Sequence, residues 1–102
     1  MSMRRFVFIR RIVGKSMTPR LKPGRLVLAT PIHLRLKPGQ VVILEHHGKE
    51  KIKRIERIDP DKGQLFVIGD NLDASSDSRH FGWITQEAVR GRVFWPRDLH
   101  NG

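Results

Sequence analysis

The side chain best suited to chemistry in this sequence is Ser16, which lies in the segment Gly14-Lys15-Ser16-Met17-Thr18-Pro19. Gly14 permits an unusual backbone φ, and Pro19 stops a helix from continuing. We therefore expect the Ser16 hydroxyl to be exposed at a fixed turn. A serine hydroxyl is a weak nucleophile until a nearby base takes its proton. The chemistry to consider is nucleophilic attack, and the open question is which side chain supplies the base.

Histidine is the usual base, but four of the five histidines lie in turns, connecting segments or the tail: His33, His46, His47 and His100. Only His80 falls in an organised loop, and it has no obvious orienting partner, so a Ser-His-Asp triad is not predicted. The His46-His47 pair is interpreted as a polar turn, because metal sites need several convergent donors. We expect no metal and no cofactor.

Lysine is the alternative base, provided that its amine is desolvated. Its reference pKa is about 10.4, and burial lowers that pKa by up to about 3–5 units. Lys53 lies within an apolar strand and shares a face with Ile55, whereas Ile52 points the other way. Lys51 points to the same face as Lys53, so spacing alone does not choose between them. A charged strand edge that protects the sheet from pairing is the alternative interpretation.

The densest polar stretch is residues 69–82, Gly-Asp-Asn-Leu-Asp-Ala-Ser-Ser-Asp-Ser-Arg-His-Phe-Gly. It is rich in turn formers and short polar side chains. Strand-like residues lead into it at 67–68 and out of it at 83–84. We interpret it as a rigid polar loop that positions its polar side chains against another segment or a ligand.

The elements that must position these groups are mostly strands, predicted at 6–13, 25–29, 40–45, 51–58, 64–68 and 89–95. Repeated Lys-Pro-Gly turns precede two of them, His46-His47-Gly48 is a predicted hairpin turn, and residues 85–88 are a possible helical turn. The predicted buried set of the first strand is Phe6, Phe8, Ile12 and Val13. Together the pattern predicts a single all-β domain over residues 1–102, a small barrel or folded sheet, with a basic strand at 4–13 and a frayed tail at 97–102.

Composition excludes several classes of protein. The sequence has no cysteine, which excludes disulfides and a thiol nucleophile. Its longest apolar runs are four residues, too short for a membrane span or for a signal peptide. We therefore expect a complete cytoplasmic chain. The net charge of +10 favours nucleic acid, anionic lipid or an acidic partner, or simply a solvated basic surface.

Three segments together resemble the sequence boxes of the type I signal peptidases. The matching residues are Gly14-x-Ser16-Met17-x-Pro19-x-Leu21, Lys53-Arg54-Ile55 and Gly69-Asp70-Asn71-x-x-x-Ser75-x-Asp77-Ser78-Arg79-x-Phe81-Gly82. Their order matches, and the third box is the most specific. The first box alone also resembles the self-cleaving LexA-type repressors, but the third box and the lack of a DNA-binding segment point away from them.

The resemblance implies a Ser-Lys dyad endopeptidase on an all-β fold, acting on a precursor or leader peptide. It implies that Ser16 is the nucleophile and donates its backbone N–H to the oxyanion, and that Lys53 is the general base. It further implies that Ser75 orients the lysine and that Asp77 and Arg79 support the site. Gly14, Gly69, Asp70 and Asn71 would shape the loops.

The sequence also departs from the family. Gly14 replaces a hydroxyl residue that supplies a second oxyanion donor in some members. The second box usually continues toward a Pro-Gly-Asp element, but here it continues as Glu56-Arg57-Ile58-Asp59-Pro60-Asp61. Only 15 residues separate Lys53 from Gly69, so the extra β-domain of larger members is not expected. The expected lack of a membrane anchor makes the sequence similar to the maturation proteases of nickel-type superoxide dismutase. Relatives usually prefer small residues just before the cut.

Two alternatives stay open. One is a signal-peptidase-like enzyme bound to anionic lipid through Arg4, Arg5, Arg10 and Arg11, with Phe6 and Phe8 at the interface or simply in the core. The other is a non-enzymatic nucleic-acid-binding β-barrel, suggested by charge alone. The sequence contains only seven aromatic residues and lacks interleaved aromatics on its strand faces, so no specific nucleic acid is expected.

Overall fold

The fold is all-β, as predicted, and consists of one seven-stranded sheet with short helical turns. The computed structural model describes residues 6–32 and 35–100. The strands are β1 (Phe8–Arg11), β2 (Leu26–Thr30), β3 (Val41–His46), β4 (Lys49–Asp59), β5 (Gln64–Ile68), β6 (Ile84–Thr85) and β7 (Val89–Trp95). Within the described ranges, α1 (Ser78–Phe81) is the one α-helical turn, and 3₁₀ turns cover Leu72–Ala74, Gln86–Ala88 and Arg97–His100.

The strand order is β1-β2-β7-β3-β4-β5-β6, and every neighbouring pair is antiparallel. The predicted hairpin joins β3 to β4, with His46 paired to Lys49. His47 and Gly48 have φ of 52° and 76°. Positive φ at both central positions is the type I′ geometry, which matches the twist of the flanking strands. This hairpin makes β4 the long strand from which Lys53 projects.

The core forms two clusters that share β3. Val41 and Ile43 belong to one cluster, whereas Val42 and Leu44 belong to the other. Successive strand residues face opposite sides of a sheet, so β3 is covered on both faces. This explains why β3 is an uninterrupted apolar run rather than an alternating one.

Two expectations about the chain's first strand and its tail are wrong. Val13 is 88% exposed, not buried, because the regular strand ends at Arg11 and Val13 faces an open cleft. Ile12 is buried as expected, and Phe6 and Phe8 are half-buried. The tail is not frayed over 97–100: it forms a 3₁₀ turn, and Leu99 is buried in the first core cluster. Positions 4, 5, 101 and 102 lie outside the described residues.

Candidate active site

Lys53 is the buried lysine of β4. Only 5% of it is exposed, and it faces the same side of the strand as buried Ile55. Lys51 is half-buried instead, with its Nζ 4.7 Å from the Phe81 ring centroid. Burial lowers the pKa of Lys53; the Asp77 carboxylate opposes this shift, and the charges of Lys51 and Arg79 add to it. The structure thus separates two lysines that strand spacing left equivalent.

A chain of hydrogen bonds leads away from the Lys53 amine. Lys53 Nζ donates to Ser75 Oγ at 3.0 Å, and Ser75 Oγ donates to Asp77 Oδ2 at 2.6 Å. Because the Ser75 proton is committed to Asp77, the Ser75 oxygen is left as an acceptor for the lysine. A neutral Lys53 held in this way keeps a lone pair that can take a proton from another group.

Asp77 is the fully buried carboxylate that ends this chain. Besides the Ser75 hydroxyl, it accepts from the Gly69 N–H at 2.9 Å and from Arg79 Nε at 2.9 Å. Burial acts to raise the pKa of Asp77. The hydrogen bonds from Arg79, Ser75 and Gly69 outweigh it and hold that pKa well below its usual range. Asp77 therefore stays ionised and, in turn, raises the pKa of Arg79.

The local sequence builds this part of the loop. Asp77 caps α1, since its side chain accepts from the Arg79 backbone N–H at 3.1 Å. His80 completes a capping box, because its Nδ1 accepts from the Asp77 N–H at 3.3 Å. Ser78 Oγ accepts from the backbone N–H of Val67 at 2.9 Å, which fastens α1 to β5. His80, which had no evident partner in the sequence, thus has a capping role on an exposed side chain.

Ser16 is half-buried, and the polar loop holds its turn in place. The Asn71 N–H donates to the Ser16 carbonyl at 2.8 Å, and Asn71 Nδ2 donates to Thr18 Oγ1 at 2.9 Å. Buried Met17 anchors the turn in the first core cluster. Gly14 has φ of 80°, the unusual positive value expected for it, although a Cβ added there would meet no atom within 4 Å.

Gly69 is the point where the Ser16 turn and the Ser75 hydroxyl meet. A Cβ added there would lie 2.5 Å from the Ser16 carbonyl oxygen and closer still to Ser75 Oγ. We expect Gly69→Ala to lower the free energy of unfolding by about 1–3 kcal/mol, because the added methyl group overpacks a filled site. Urea denaturation measures this change.

The sign of the change in unfolding free energy for Gly69→Ala shows whether the site around Gly69 is crowded. Glycine-to-alanine changes at sites with room and compatible backbone stabilise proteins by about 0.4–1 kcal/mol. A Gly69→Ala protein as stable as the parent would show that these groups do not crowd Gly69.

Arg54 also supports the site, and the sequence analysis of individual residues did not identify it. Its Nε and Nη2 donate to the two carboxylate oxygens of Asp70, each at 2.8 Å, and its Nη1 donates to the Gly39 carbonyl at 2.7 Å. This fork, one residue after Lys53, ties β4 to the start of the polar loop. Its place in the second box, directly after Lys53, was the available signal.

Ser16 and Lys53 line one cleft of about 290 Å³. The other lining residues are Arg10, Arg11, Ile12, Val13, Met17, Glu50, Lys51, Ile52 and Ser76. Behind Lys53 lies a hydrogen-bonded network that consists of Ser75, Asp77, Arg79 and Gly69. The arrangement offers a hydroxyl and a desolvated amine on the same accessible surface, with a fixed polar support behind the amine.

Comparisons with known proteins bear on what this surface does. Residues 56–97 match the sequence profile of the family described as "Signal peptidase, peptidase S26". The mitochondrial ATP-independent inner membrane protease subunit 1b of Arabidopsis thaliana is 34% identical over 109 positions, which cover 80% of this chain and 64% of that protein. The mitochondrial inner membrane protease subunit 1 of Mus musculus is 28% identical over 87% of this chain and 74% of that protein.

A shorter match is more similar in sequence. Signal peptidase IB of Staphylococcus aureus is 47% identical over 38 residues, which cover 34% of this chain and 20% of that protein. The chain thus spans less than two thirds of the length of the Arabidopsis and Staphylococcus relatives. Together with the family profile, these relatives show that the chain is similar in sequence to members of the signal peptidase family.

Proposed function

We propose that this protein is a serine endopeptidase in which Ser16 is the nucleophile and Lys53 the general base. The observation that carries the proposal is a lysine only 5% exposed, with a lowered pKa, that lines the same cleft as a serine hydroxyl. A lysine must be largely neutral to act as a base near neutral pH, and burial favours the neutral form.

In the proposed reaction, neutral Lys53 takes the proton of Ser16 Oγ as that oxygen bonds to the scissile carbonyl carbon. The C–N bond then breaks, and the lysine ammonium returns the proton to the leaving amine. Water, deprotonated in turn by Lys53, attacks the carbonyl carbon of the resulting ester. The C–Oγ bond breaks, the lysine ammonium returns its proton to Ser16 Oγ, and the acid product leaves. The Ser16 N–H would donate to the oxyanion, and such a donor is worth about 3–4 kcal/mol of barrier.

Ser75, Asp77 and Arg79 act as positioning residues in this proposal. Ser75 holds the Lys53 amine through a 3.0 Å hydrogen bond, and its own proton goes to Asp77. Arg79 keeps Asp77 ionised, so that Asp77 continues to accept the Ser75 proton. Oriented in this way, the lysine has one fixed donor bond, and its lone pair is available in the cleft.

The proposed substrate is a precursor protein from which an N-terminal leader is removed. The leader of a nickel-type superoxide dismutase precursor remains one candidate, proposed from the resemblance. The relatives reported above are named as inner membrane proteases and a signal peptidase, so a secretory or mitochondrial leader is a second candidate. The two candidates differ in whether the substrate is delivered in solution or at a membrane.

A cleavage assay tests the proposal. The purified protein and its Ser16→Ala variant are incubated with a nickel superoxide dismutase precursor and, separately, with a signal-peptide precursor, and product N-termini are read by mass spectrometry. We expect a single cut that the variant does not make. Cleavage of only the signal-peptide precursor would keep the dyad and reject the dismutase branch. If neither precursor is cut, with or without lipid, the endopeptidase proposal fails.

A peripheral membrane location is a second proposal, favoured by the outer face of β1, β2 and β7. Ile9 pairs with Leu28, and Leu28 pairs with Trp95, so these side chains share that face. Ile9, Leu26 and Trp95 are 57%, 42% and 42% exposed, and the Arg25 guanidinium lies 5.1 Å from the Trp95 ring centroid. None of the helices in the described ranges is long and apolar enough to cross a membrane. Phe8 instead packs against the core, as the core interpretation of this residue expected.

We expect the protein to co-sediment with vesicles containing anionic lipid, because exposed apolar side chains beside arginines suit a charged interface. The double variant Leu26→Gln/Trp95→Gln should sediment less. A Thr85→Ala variant, changed at an exposed site on β6, should sediment like the parent. If the double variant and the parent sediment equally, this face is not the contact, and if neither sediments, a cytoplasmic location is favoured.

A further inference from the structure

The cleft carries more positive charge than the proposed reaction uses. Four basic residues line it, Arg10, Arg11, Lys51 and Lys53, against one carboxylate, Glu50. Arg10 neutralises that carboxylate, because its Nε and Nη2 donate to the two Glu50 oxygens at 2.5 and 3.2 Å. This pair also joins β1 to β4, the two strands whose segments form the walls. Lys53 has a separate role as the proposed base.

Two basic side chains of the cleft remain after these assignments, one on β1 and one on β4. Arg11 is exposed, and its Nη1 donates to the Gly24 carbonyl at 3.1 Å. Lys51 is half-buried, with its ammonium over the Phe81 ring. A carbonyl and an aromatic ring orient these groups but do not cancel their charge. Within residues 6–32 and 35–100, no carboxylate forms an ion pair with either one.

We propose that the cleft selects peptides with an acidic side chain next to the scissile bond, and that Arg11 and Lys51 determine this preference. The inference rests on the proposed function and adds a substrate class to it. Two unpaired cations in a concave site attract a carboxylate and repel a lysine or arginine of the substrate. The preference is electrostatic, so it should weaken as added salt screens the charges.

Matched peptides test the preference. Each peptide has alanines before the cut and carries Glu, Gln or Lys at one flanking position, with both sides of the cut sampled in turn. At low salt, at the responsive position, we expect kcat/KM to be on the order of fivefold higher for Glu than for Gln, and lower again for Lys, because exposed charge pairs have small effects. The Glu-to-Gln ratio should fall toward one at about 0.5 M salt.

Charge reversal assigns the preference to these residues. The Arg11→Glu/Lys51→Glu variant should invert the order of the Glu and Lys peptides. Lys62→Glu, which makes the charge change in an exposed turn that does not line the cleft, should leave the order as in the parent. If the parent cuts all peptides equally well, or if Lys62→Glu inverts the order too, the inference is overturned while the endopeptidase stands.

A binding measurement separates this inference from the proposed function. Fluorescence anisotropy with the labelled Glu, Gln and Lys peptides, on the Ser16→Ala protein, reports recognition without cleavage. Tighter binding of the Glu peptide that is lost in Arg11→Glu/Lys51→Glu supports the inference even if the parent cuts none of them. Equal binding of the three peptides at low salt overturns it.

Discussion

The Ser16→Ala and Lys53→Met variants are each expected to lower kcat/KM for a cleaved precursor by at least about 10⁴-fold. The kcat/KM of the double variant should be no lower than that of either single variant. The nucleophile and its base act in the same step, so losing either one already abolishes that step. Single-turnover assays over long incubation measure all three. Two independent losses that multiply in the double variant would contradict a dyad.

Two variants control for the changes in residue type. Lys49→Met removes an exposed lysine from the start of the same strand, and Thr85→Ala removes an exposed hydroxyl. Both should retain the parental rate. Methionine replaces the buried lysine with an apolar side chain of similar length, so Lys53→Met tests the amine while keeping the packing.

The desolvation of Lys53 can also be tested without an activity assay, through the pH dependence of the unfolding free energy. Its lowered pKa means that the folded protein binds fewer protons than the unfolded chain between that pKa and about 10.4. The free energy of unfolding should therefore gain a contribution from Lys53 as pH rises through this window. Subtracting the Lys53→Met profile from the parental profile isolates that rise, and two parallel profiles would mean that the lysine is not desolvated.

The Asp77→Asn variant is expected to lose about 1–3 kcal/mol of unfolding free energy at pH 7, because buried donors lose their charged acceptor. An amide cannot accept from Gly69, Ser75 and Arg79 together as the carboxylate does. It also leaves the charge of Arg79 without its partner. Cleavage should fall as well, since Ser75 would no longer be committed as an acceptor for Lys53. Urea denaturation and the cleavage assay measure the two effects.

The pH dependence of stability identifies the carboxylate. The folded pKa of Asp77 is depressed, so its contribution is complete above the unfolded value of about 3.9 and disappears as pH falls toward the folded pKa. Asp77→Asn should be nearly as unstable as the parent at low pH and much less stable at pH 7. Asp73→Asn, an exposed change in the same loop, should follow the parental curve. A constant deficit at all pH values would indicate a packing defect instead.

Much of the fold follows from local chemistry and could be predicted from sequence. The β5 and β7 bounds agree with the predicted ranges, and the positive φ values of Gly24 and Gly39 follow from the two Lys-Pro-Gly turns. The third box builds its own α1 cap from Asp77 and His80, three residues apart. Such features depend on neighbours within a few residues, which the sequence displays directly.

The site itself depends on contacts between distant parts of the chain. Lys53 and Lys51 have the same strand parity, and only packing leaves one of them 5% exposed and the other half-buried. Ser75 reaches Lys53 across 22 residues, and Arg10 reaches Glu50 across 40. Resemblance to a family proposed which lysine matters, but desolvation of an amine depends on what covers it.

The two wrong expectations, a buried Val13 and a frayed tail, have the same origin. Val13 and Leu99 are both apolar, yet Val13 faces the cleft and Leu99 fills the first core cluster. The sequence alone determined the residue types, the turns and the strand periods, which are local properties. Only the tertiary structure decided which side chains are buried, which charges are paired and which cations of the cleft stay unpaired. Burial, and with it pKa and charge pairing, is determined by how the sheet folds over itself to cover both faces of β3.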